Sequence, residues 1–320
     1  MLIPGPVTGS PRRGTLMVSL TDDTRARLLE AAYDIRRLTV EMVTWGQWGH
    51  LGGSFSMAEI LAVLYFHSMG VDPERPNWEG RDRLILSKAH TSPGLYGALA
   101  ARGFFPVDAI YSYTELGGML EGHTDMTRTP GLESSGGPLG MGLSVALGRA
   151  LGLRYKGDPR ARVYCILGDG ECNEGNVWEA AMAAAQYHLD NLIAIVDYNK
   201  VMAKGAVWRL MGIEPFADKW RAFGWEVIEV DGHDLDELAD AFHRARWILP
   251  RGRPIVVVAH TVKGRGVEIA EFNPAWHTHA PDPATADAML RELSRSTGRA
   301  EVGYSRLTMA VTQEPFYGGE

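Results

Sequence analysis

The sequence predicts an α/β protein with a doubly wound, mostly parallel sheet that is flanked by helices. The chain has 320 residues, 45% of them hydrophobic and 22% charged, which is enough to bury the core of one large domain. Four short apolar runs rich in β-branched residues predict strands, namely Arg162–Leu167, Leu192–Val196, Glu226–Val230 and Pro254–Ala259. Helical patterns separate these runs, and such alternation predicts parallel strands with helices on both faces.

The part of the chain before the first predicted strand is mainly helical. Residues 1–20 hold three prolines and three glycines and predict a mobile tail. From Thr21 onward, apolar residues at helical spacing predict a helix that Thr21 or Asp22 caps. The glycine-rich, polar segment 114–138 predicts a functional loop. Further helices are predicted over Met57–Ser68, Pro93–Arg102 and Leu139–Leu153.

Helices are also predicted between the strands, over 175–188, 215–223 and 235–248. After about Pro281 the sequence holds one short helical pattern and then a polar tail. We therefore expect a main domain over residues 21–280, followed by a C-terminal helix and polar tail over 281–320.

The composition argues against several classes of function. Lys and Arg number 32 against 39 Asp and Glu, a net charge of −7 without a basic stripe, so no nucleic-acid partner is expected. The longest uninterrupted apolar stretch, Ile60–Phe66, has seven residues, so no membrane span is expected. The N-terminus lacks the apolar region of a secretory signal, and two cysteines cannot build a disulfide framework. We expect a cytoplasmic protein.

The pattern that carries chemistry follows the first two predicted strands. Gly168-Asp169-Gly170 comes directly after the first strand, and Asp197-Tyr198-Asn199 comes after the second. Asp169 and Asn199 are 30 residues apart, about one strand–helix–strand crossover, so both are expected at the carboxyl edge of the sheet. Ligands bind at that edge in open α/β sheets.

These residue types suit a cation bound to an anionic ligand. A carboxylate, an amide oxygen and main-chain carbonyls are ligands for Mg²⁺, which takes its remaining oxygens from phosphates. The flanking glycines allow the backbone to approach a diphosphate closely. Taken alone, Gly-Asp-Gly is also an ordinary turn. Neither a G-x-G-x-x-G fingerprint opening a helix after a strand nor a Walker A loop is present in the sequence.

The whole pattern resembles the thiamine diphosphate signature of transketolases. Its members are Gly168-Asp169-Gly170-Glu171, Glu174-Gly175, Trp178-Glu179-Ala180, Asn191-Leu192 and Asp197-Tyr198-Asn199. Four more segments match in order, running from Gly49-His50 to Met57-Ala58-Glu59-Ile60, from Arg81-Asp82-Arg83 to Ala89-His90, from Gly122-His123 to Gly137-Pro138-Leu139-Gly140, and from Thr261-Val262-Lys263-Gly264 to Trp276-His277. The resemblance covers roughly residues 25–280 and implies the thiamine diphosphate-binding fold.

The resemblance implies a cofactor, a metal ion and residues that hold them. Asp169, Asn199 and the main-chain carbonyl of Val201 are implied as ligands of Mg²⁺ or another divalent cation, with Gly170 beside the diphosphate. The cation bridges the anionic diphosphate to the carboxylate, which would otherwise repel it.

The same resemblance implies contacts to the rest of the cofactor. Gly137 and Leu139 are implied to lie against its aminopyrimidine and thiazolium rings, and Lys263 beside it. Glu174 is implied to touch the activating glutamate of a partner domain, although it could also be a plain helix-start carboxylate.

Four of the ten histidines lie in the matched segments. The resemblance implies that His50, His90, His123 and His277 line the channel above the thiazolium C2, with His90 and His277 also touching the cofactor. There they bind sugar carbonyl and hydroxyl groups and move protons, for which imidazole is suited. The matched segments give no role to His67, His188, His233, His243, His260 or His279.

A complete transketolase is longer and adds a domain that receives the pyrimidine ring and supplies its activating glutamate. We therefore expect this chain to be the N-terminal subunit of a split transketolase, paired with a subunit that carries the pyrimidine-binding domain in a heterotetramer. The expected reaction moves a two-carbon ketol unit from a ketose, free or phosphorylated, to an aldose. Two alternatives remain: a subunit of a 1-deoxyxylulose-5-phosphate synthase-like or 2-oxo-acid decarboxylating enzyme, and a non-catalytic cofactor-binding subunit.

Overall fold

The computed structural model describes residues 19–158, 160–249 and 252–296. Its centre is a sheet of five parallel strands in the order β1-β2-β3-β7-β6, with a small antiparallel pair, β4 and β5, beside it. The strands are β1 (Arg83–Leu86), β2 (Val163–Gly168), β3 (Leu192–Tyr198), β4 (Val201–Met202), β5 (Gly205–Ala206), β6 (Glu226–Asp231) and β7 (Ile255–His260). The predicted fold class is confirmed.

Helices cover both faces of the sheet, as a doubly wound fold requires. They are α1 (Asp22–Trp45), α2 (Leu51–Ser56), α3 (Ala58–Val63), α4 (Ser92–Arg102), α5 (Gly142–Tyr155), α6 (Gly175–Gln186), α7 (Val207–Leu210), α8 (Phe216–Ala222), α9 (Leu235–His243) and α10 (Pro283–Ser296). Alternate residues of β3 show the two faces: Ile193 and Ile195 share a core with α1, α3, α4 and α9. Leu192, Ala194 and Val196 share the other core with α5, α6 and α8.

The predicted elements occur with shifted ends, and four elements were missed. The helices predicted over Met57–Ser68 and 235–248 each end in a π-helical turn, at Leu64–Ser68 and Arg244–Ile248. The predicted loop 114–138 contains neither helix nor strand. The strand β1, the helices α2 and α7, and the β4–β5 pair were not predicted.

The C-terminal helix packs on the main body of the chain. Its residues Met289, Leu290 and Leu293 are buried in a third apolar cluster together with Val40 of α1 and Phe55 of α2. The division between residues 280 and 281 stays a prediction, and the predicted polar tail after residue 296 lies outside the described residues.

At the other end, residues 1–18 of the predicted tail also lie outside the described residues. Leu20 is buried, and its N–H donates to Asp236 at 2.8 Å, so this residue belongs to the packed structure. Over the three described ranges, none of the helices combines the length and the apolar content that crossing a membrane requires.

Candidate active site

Four loops meet at the carboxyl edge of the sheet. Gly168 is in register with Asp197, and Asp197 with Ala259, so the loops after β2, β3 and β7 begin side by side, and β1 ends next to β2. They surround a cleft of about 350 Å³. Its lining consists of Gly53, Lys88, His90, His123, Gly137, Leu139, Gly168, Asp169, Gly170, Glu171, Asn199, Val201, Met202, Ala203, Lys263 and His277.

Asp169 brings a buried carboxylate to this cleft. It is 3% exposed, and its oxygens accept hydrogen bonds from the backbone N–H groups of Gly170 at 2.8 Å and Lys200 at 2.5 Å. Burial and the nearby carboxylate of Asp197 raise the pKa of Asp169 to about 6. A buried carboxylate under this strain gains from a cation close to it.

Asn199 and Val201 lie beside this carboxylate. The Asn199 side-chain N–H donates to Asp197 at 2.9 Å, which turns its amide oxygen toward the backbone N–H of Val201 at 3.1 Å. Within the described residues, no group of three His, Cys, Asp or Glu side chains could hold a metal ion. The predicted donors are a carboxylate, an amide oxygen and a main-chain carbonyl, a set that fits Mg²⁺ when a ligand supplies further oxygens.

Lys263 connects the predicted metal ligands to the histidines. Its side chain is buried, and its ammonium donates to the Val201 carbonyl and to His277 Nδ1, both at 2.9 Å. Burial and the neighbouring Lys88 lower the pKa of Lys263 to about 8. Because His277 Nδ1 accepts this hydrogen bond, the neutral ring carries its proton on Nε2.

Three of the four predicted histidines form a tight cluster. The ring centroids of His50 and His90 are 4.8 Å apart, those of His50 and His277 5.0 Å, and those of His90 and His277 5.3 Å. His123 joins them through the indole of Trp48, 5.9 Å from its ring and 5.2 Å from that of His50.

Burial keeps these imidazoles neutral at physiological pH. Together with repulsion from neighbouring cationic groups, it lowers the pKa of His50 to about 4, of His90 to about 2 and of His277 to about 3. Burial also lowers the pKa of His123. His50 Nδ1 is buried and finds no hydrogen-bond partner among the residues that the structure describes. His50 packs against the cluster without lining the cleft itself.

The remaining predicted residues divide between the cleft and its rim. Gly137 has open space where a side chain would begin, and Leu139 beside it is 40% exposed. A Cβ on Gly170 would lie 2.7 Å from Met202, so only glycine fits this close approach. Glu174, the residue before α6, is exposed and lies outside the lining of the cleft. The structure therefore brings all predicted site residues together in the cleft except His50 and Glu174.

Two buried networks in the cleft walls had no predicted role. Lys88 donates to Asp197 at 2.5 Å and to the Gly53 carbonyl at 2.8 Å, which neutralises the carboxylate next to Asn199. Lys88 follows β1, the strand that the sequence did not reveal, and its position directly before Ala89-His90 in a matched segment was the available signal.

The second network is centred on Glu171. Its carboxylate accepts hydrogen bonds from Ser87 Oγ at 2.5 Å, the Gly140 N–H at 2.8 Å and the Gly168 N–H at 3.0 Å. It thus joins the end of β1, the turn before α5 and the end of β2. Glu171 stands inside the quoted signature, but the signature gave no reason to expect these three partners.

The fold and the cleft define a class of α/β proteins that bind an anionic ligand at the carboxyl edge of a parallel sheet. Residues 28–293 match the family described as the thiamine diphosphate-binding domain of transketolase. The chain therefore belongs to the transketolase family, and the resemblance drawn from its motifs is confirmed.

Curated relatives of similar length support this assignment. The chain is 45% identical over 261 residues to a 6-deoxy-6-sulfo-D-fructose transketolase subunit of Clostridium sp. (strain MSTE9), covering 82% of this chain and 94% of the relative. It is 37% identical over 267 residues to an apulose-4-phosphate transketolase subunit of Phocaeicola vulgatus, covering 83% and 93%.

Solved structures show the same fold within longer chains. The transketolase of Campylobacter jejuni superposes with a TM-score of 0.80 at 28% identity, over 89% of this chain and 44% of that chain. The transketolase from Leishmania mexicana superposes with a TM-score of 0.79 at 28% identity, over 86% and 42%. The chain thus spans less than half the length of these transketolases.

Proposed function

We propose that this chain is the thiamine diphosphate-binding subunit of a two-chain transketolase that transfers a two-carbon ketol unit from a ketose to an aldose. One observation carries the proposal: the cleft joins the predicted metal ligands Asp169, Asn199 and Val201 to His90, His123 and His277. The similarity in length to relatives named as transketolase subunits, 94% and 93% of which are covered, supports a separate partner chain.

The residues of the cleft fit the cofactor and its cation. Asp169, Asn199 and the Val201 carbonyl would hold Mg²⁺ or another divalent ion, with Gly170 beside the diphosphate. In the structure the Lys263 ammonium donates to the Val201 carbonyl, so Lys263 yields this contact when the cation binds. Gly137 and Leu139 would lie against the two rings of the cofactor. When bound, thiamine diphosphate supplies the thiazolium C2 that accepts the two-carbon unit.

The histidines would bind and orient the sugar. His277 presents a proton on Nε2 because its Nδ1 accepts from Lys263, so it donates to a substrate oxygen without being charged. His90 and His123 line the same cleft and offer further donors and acceptors for hydroxyl groups. His50 supports the His90 and His277 rings from behind the cleft wall.

A partner subunit would complete the site. No residue of this chain is assigned the role of the glutamate that activates the pyrimidine, so the partner supplies it, and Glu174 on the rim is placed to meet it. An assembly of two copies of each chain follows the two-fold symmetry usual in enzymes of this kind. The two relatives of similar length are named for a sulfonated and a phosphorylated sugar, and we infer an anionic sugar as substrate here. The cytoplasmic location stays a prediction.

The test is product analysis with the purified complex of this chain and its partner. With thiamine diphosphate and Mg²⁺, we expect transfer from ketose phosphates to aldose acceptors and none of the products of pyruvate decarboxylation. Asp169→Asn should abolish turnover and Mg²⁺-dependent cofactor binding while the thermal melt stays close to that of the wild type. Turnover of pyruvate instead of ketoses would favour the 1-deoxyxylulose-5-phosphate synthase-like alternative, and no turnover of either would favour a binding subunit.

A further inference from the structure

His233 makes two hydrogen bonds of opposite sense just behind the cleft. Its Nε2 lies 2.8 Å from the backbone nitrogen of Val262, and its Nδ1 lies 3.0 Å from a carboxylate oxygen of Glu59. The Val262 N–H can only donate, so Nε2 accepts and carries no proton. Nδ1 therefore carries the proton and donates to Glu59, which fixes the imidazole in one neutral tautomer.

Glu59 is itself held rigidly on α3. The Arg36 guanidinium forms two parallel hydrogen bonds to its carboxylate, both of 2.7 Å, and the two side chains are only 8% and 10% exposed. Burial alone would raise the pKa of Glu59, but the charge of Arg36 and the hydrogen bond from His233 lower it to about 2. The acceptor that orients His233 thus stays ionised across the physiological range.

The loop that carries His233 is pressed against the segment it holds. Gly232 donates from its N–H to the His260 carbonyl at 2.8 Å, and a Cβ on Gly232 would lie 2.4 Å from the Thr261 side chain. Only glycine allows this approach, which brings the His233 ring to Val262.

Val262 stands between two residues that act in the cleft wall. Thr261 donates from its hydroxyl to Asp197, the carboxylate that also binds Lys88 and Asn199. On the other side, Lys263 reaches the Val201 carbonyl and His277. The backbone N–H that His233 accepts is therefore the amide directly before the Lys263 peptide unit.

We propose that His233 is a positioning residue, whose imidazole, held in one tautomer by the buried Arg36–Glu59 pair, fixes the Val262 amide and so places the Lys263 ammonium between the Val201 carbonyl and His277. This inference deepens the proposed function and rests on it. His233 does not line the cleft and touches neither cofactor nor substrate.

Two substitutions separate the two hydrogen bonds. His233→Gln places an amide oxygen near the Nε2 position, so it keeps an acceptor for Val262 and loses the donor to Glu59. His233→Asn places an amide N–H near the Nδ1 position, so it keeps the donor to Glu59 and loses the acceptor. Each variant loses one buried hydrogen bond, so both should lower the melting temperature by similar amounts. His67→Asn, on an exposed turn, is the matched surface control.

Steady-state kinetics of the two-chain complex then distinguish positioning from mere stability. We expect His233→Asn to lower kcat about 10- to 100-fold, in the range seen when the partner of a site residue is removed, with little change in the KM for the sugar. His233→Gln should stay within about threefold of the wild type. Equal losses of kcat in the two variants, or no loss in either, would overturn the inference.

A second readout does not depend on turnover. Calorimetry with thiamine diphosphate and Mg²⁺ should show weaker cofactor binding for His233→Asn and near wild-type binding for His233→Gln. Long-range ¹H–¹⁵N spectra of the imidazole should show His233 protonated on Nδ1, and the opposite tautomer would refute the arrangement. If the wild-type complex transfers no ketol unit, the proposed function fails, and these two measurements still decide the role of His233.

Discussion

At the scale of single residues, the site stores several ionisable groups in the form that water would disfavour. His50, His90 and His277 lie within 5.3 Å of each other by ring centroid and are held neutral by burial. Three adjacent imidazolium ions would repel one another, so the cluster works only with uncharged rings. The price is a folded state that resists protonation at mild acidity.

This leads to a prediction about stability and pH. In the folded chain the pKa values of His50, His90 and His277 are lowered to about 4, 2 and 3, whereas unfolding restores values near 6.5. The unfolded chain therefore binds more protons below pH 7, and stability falls as pH drops from about 7 to 5. Each histidine steepens this fall by up to about 1.4 kcal/mol per pH unit.

Denaturant unfolding between pH 8 and 5 measures this effect. His90→Asn removes one titrating group and should make the fall shallower, while at pH 8, where all three rings are neutral in both states, the two proteins should differ least. Identical slopes for the wild type and His90→Asn would contradict the assignment.

At the scale of elements, the sequence predicted what is periodic and missed what is short. The runs that became β2, β3, β6 and β7 are apolar over five or six residues, which only a buried strand explains beside helical neighbours. β1 spans four residues and begins with Arg83, too little for a pattern. α2 contains Gly52 and Gly53, residues of poor helix propensity, and its helix depends on burial of all six of its side chains.

The candidate site was predicted in composition but not in its internal bonding. The motifs identified the residues that line the cleft, because the carboxyl ends of parallel strands must meet. They could not show that Lys88 pairs with Asp197 or that Lys263 bonds to Val201, since these contacts join residues 109 and 62 positions apart. Such pairings depend on side-chain positions that only the folded chain defines.

Glu171 gives a prediction at the junction of three elements. Replacing it by alanine leaves Ser87 Oγ and the N–H groups of Gly140 and Gly168 without their acceptor. Because these donors are buried, Glu171→Ala should lower the free energy of unfolding by about 2–4 kcal/mol. Cofactor affinity should fall as well, since the turns at Gly137 and Gly170 line the cleft.

Denaturant unfolding and calorimetry with thiamine diphosphate test both effects. Glu179→Ala, on the exposed face of α6, is the matched control and should stay within about 0.5 kcal/mol of the wild type. A Glu171→Ala protein as stable as the control would show that Glu171 does not join these elements.

At the scale of the whole molecule, one surface is built for contact. Exposed apolar side chains continue from the cleft rim onto the first turn of α5: Leu139 is 40% exposed, Met141 51% and Val145 37%. Apolar side chains grouped in this way commonly mark an interface. Their place beside the turn that would hold the cofactor rings indicates that the proposed partner covers the cofactor here and excludes water from it.

The last prediction concerns this assembly. The isolated chain, saturated with thiamine diphosphate and Mg²⁺, should show no ketol transfer, because it lacks the group that activates the pyrimidine and leaves the cofactor open to water. Titration with the partner should restore turnover, and sedimentation should show two copies of each chain. Val145→Glu places a charge in the proposed interface and should raise the partner concentration needed for half-maximal activity about tenfold or more, without changing the melt of the isolated chain. Tyr155→Glu, also on α5 but about 15 Å further along it, is the control and should leave the titration unchanged. Turnover by a preparation free of any second polypeptide would refute the two-chain enzyme, whereas a wild-type titration with Val145→Glu would place the interface elsewhere.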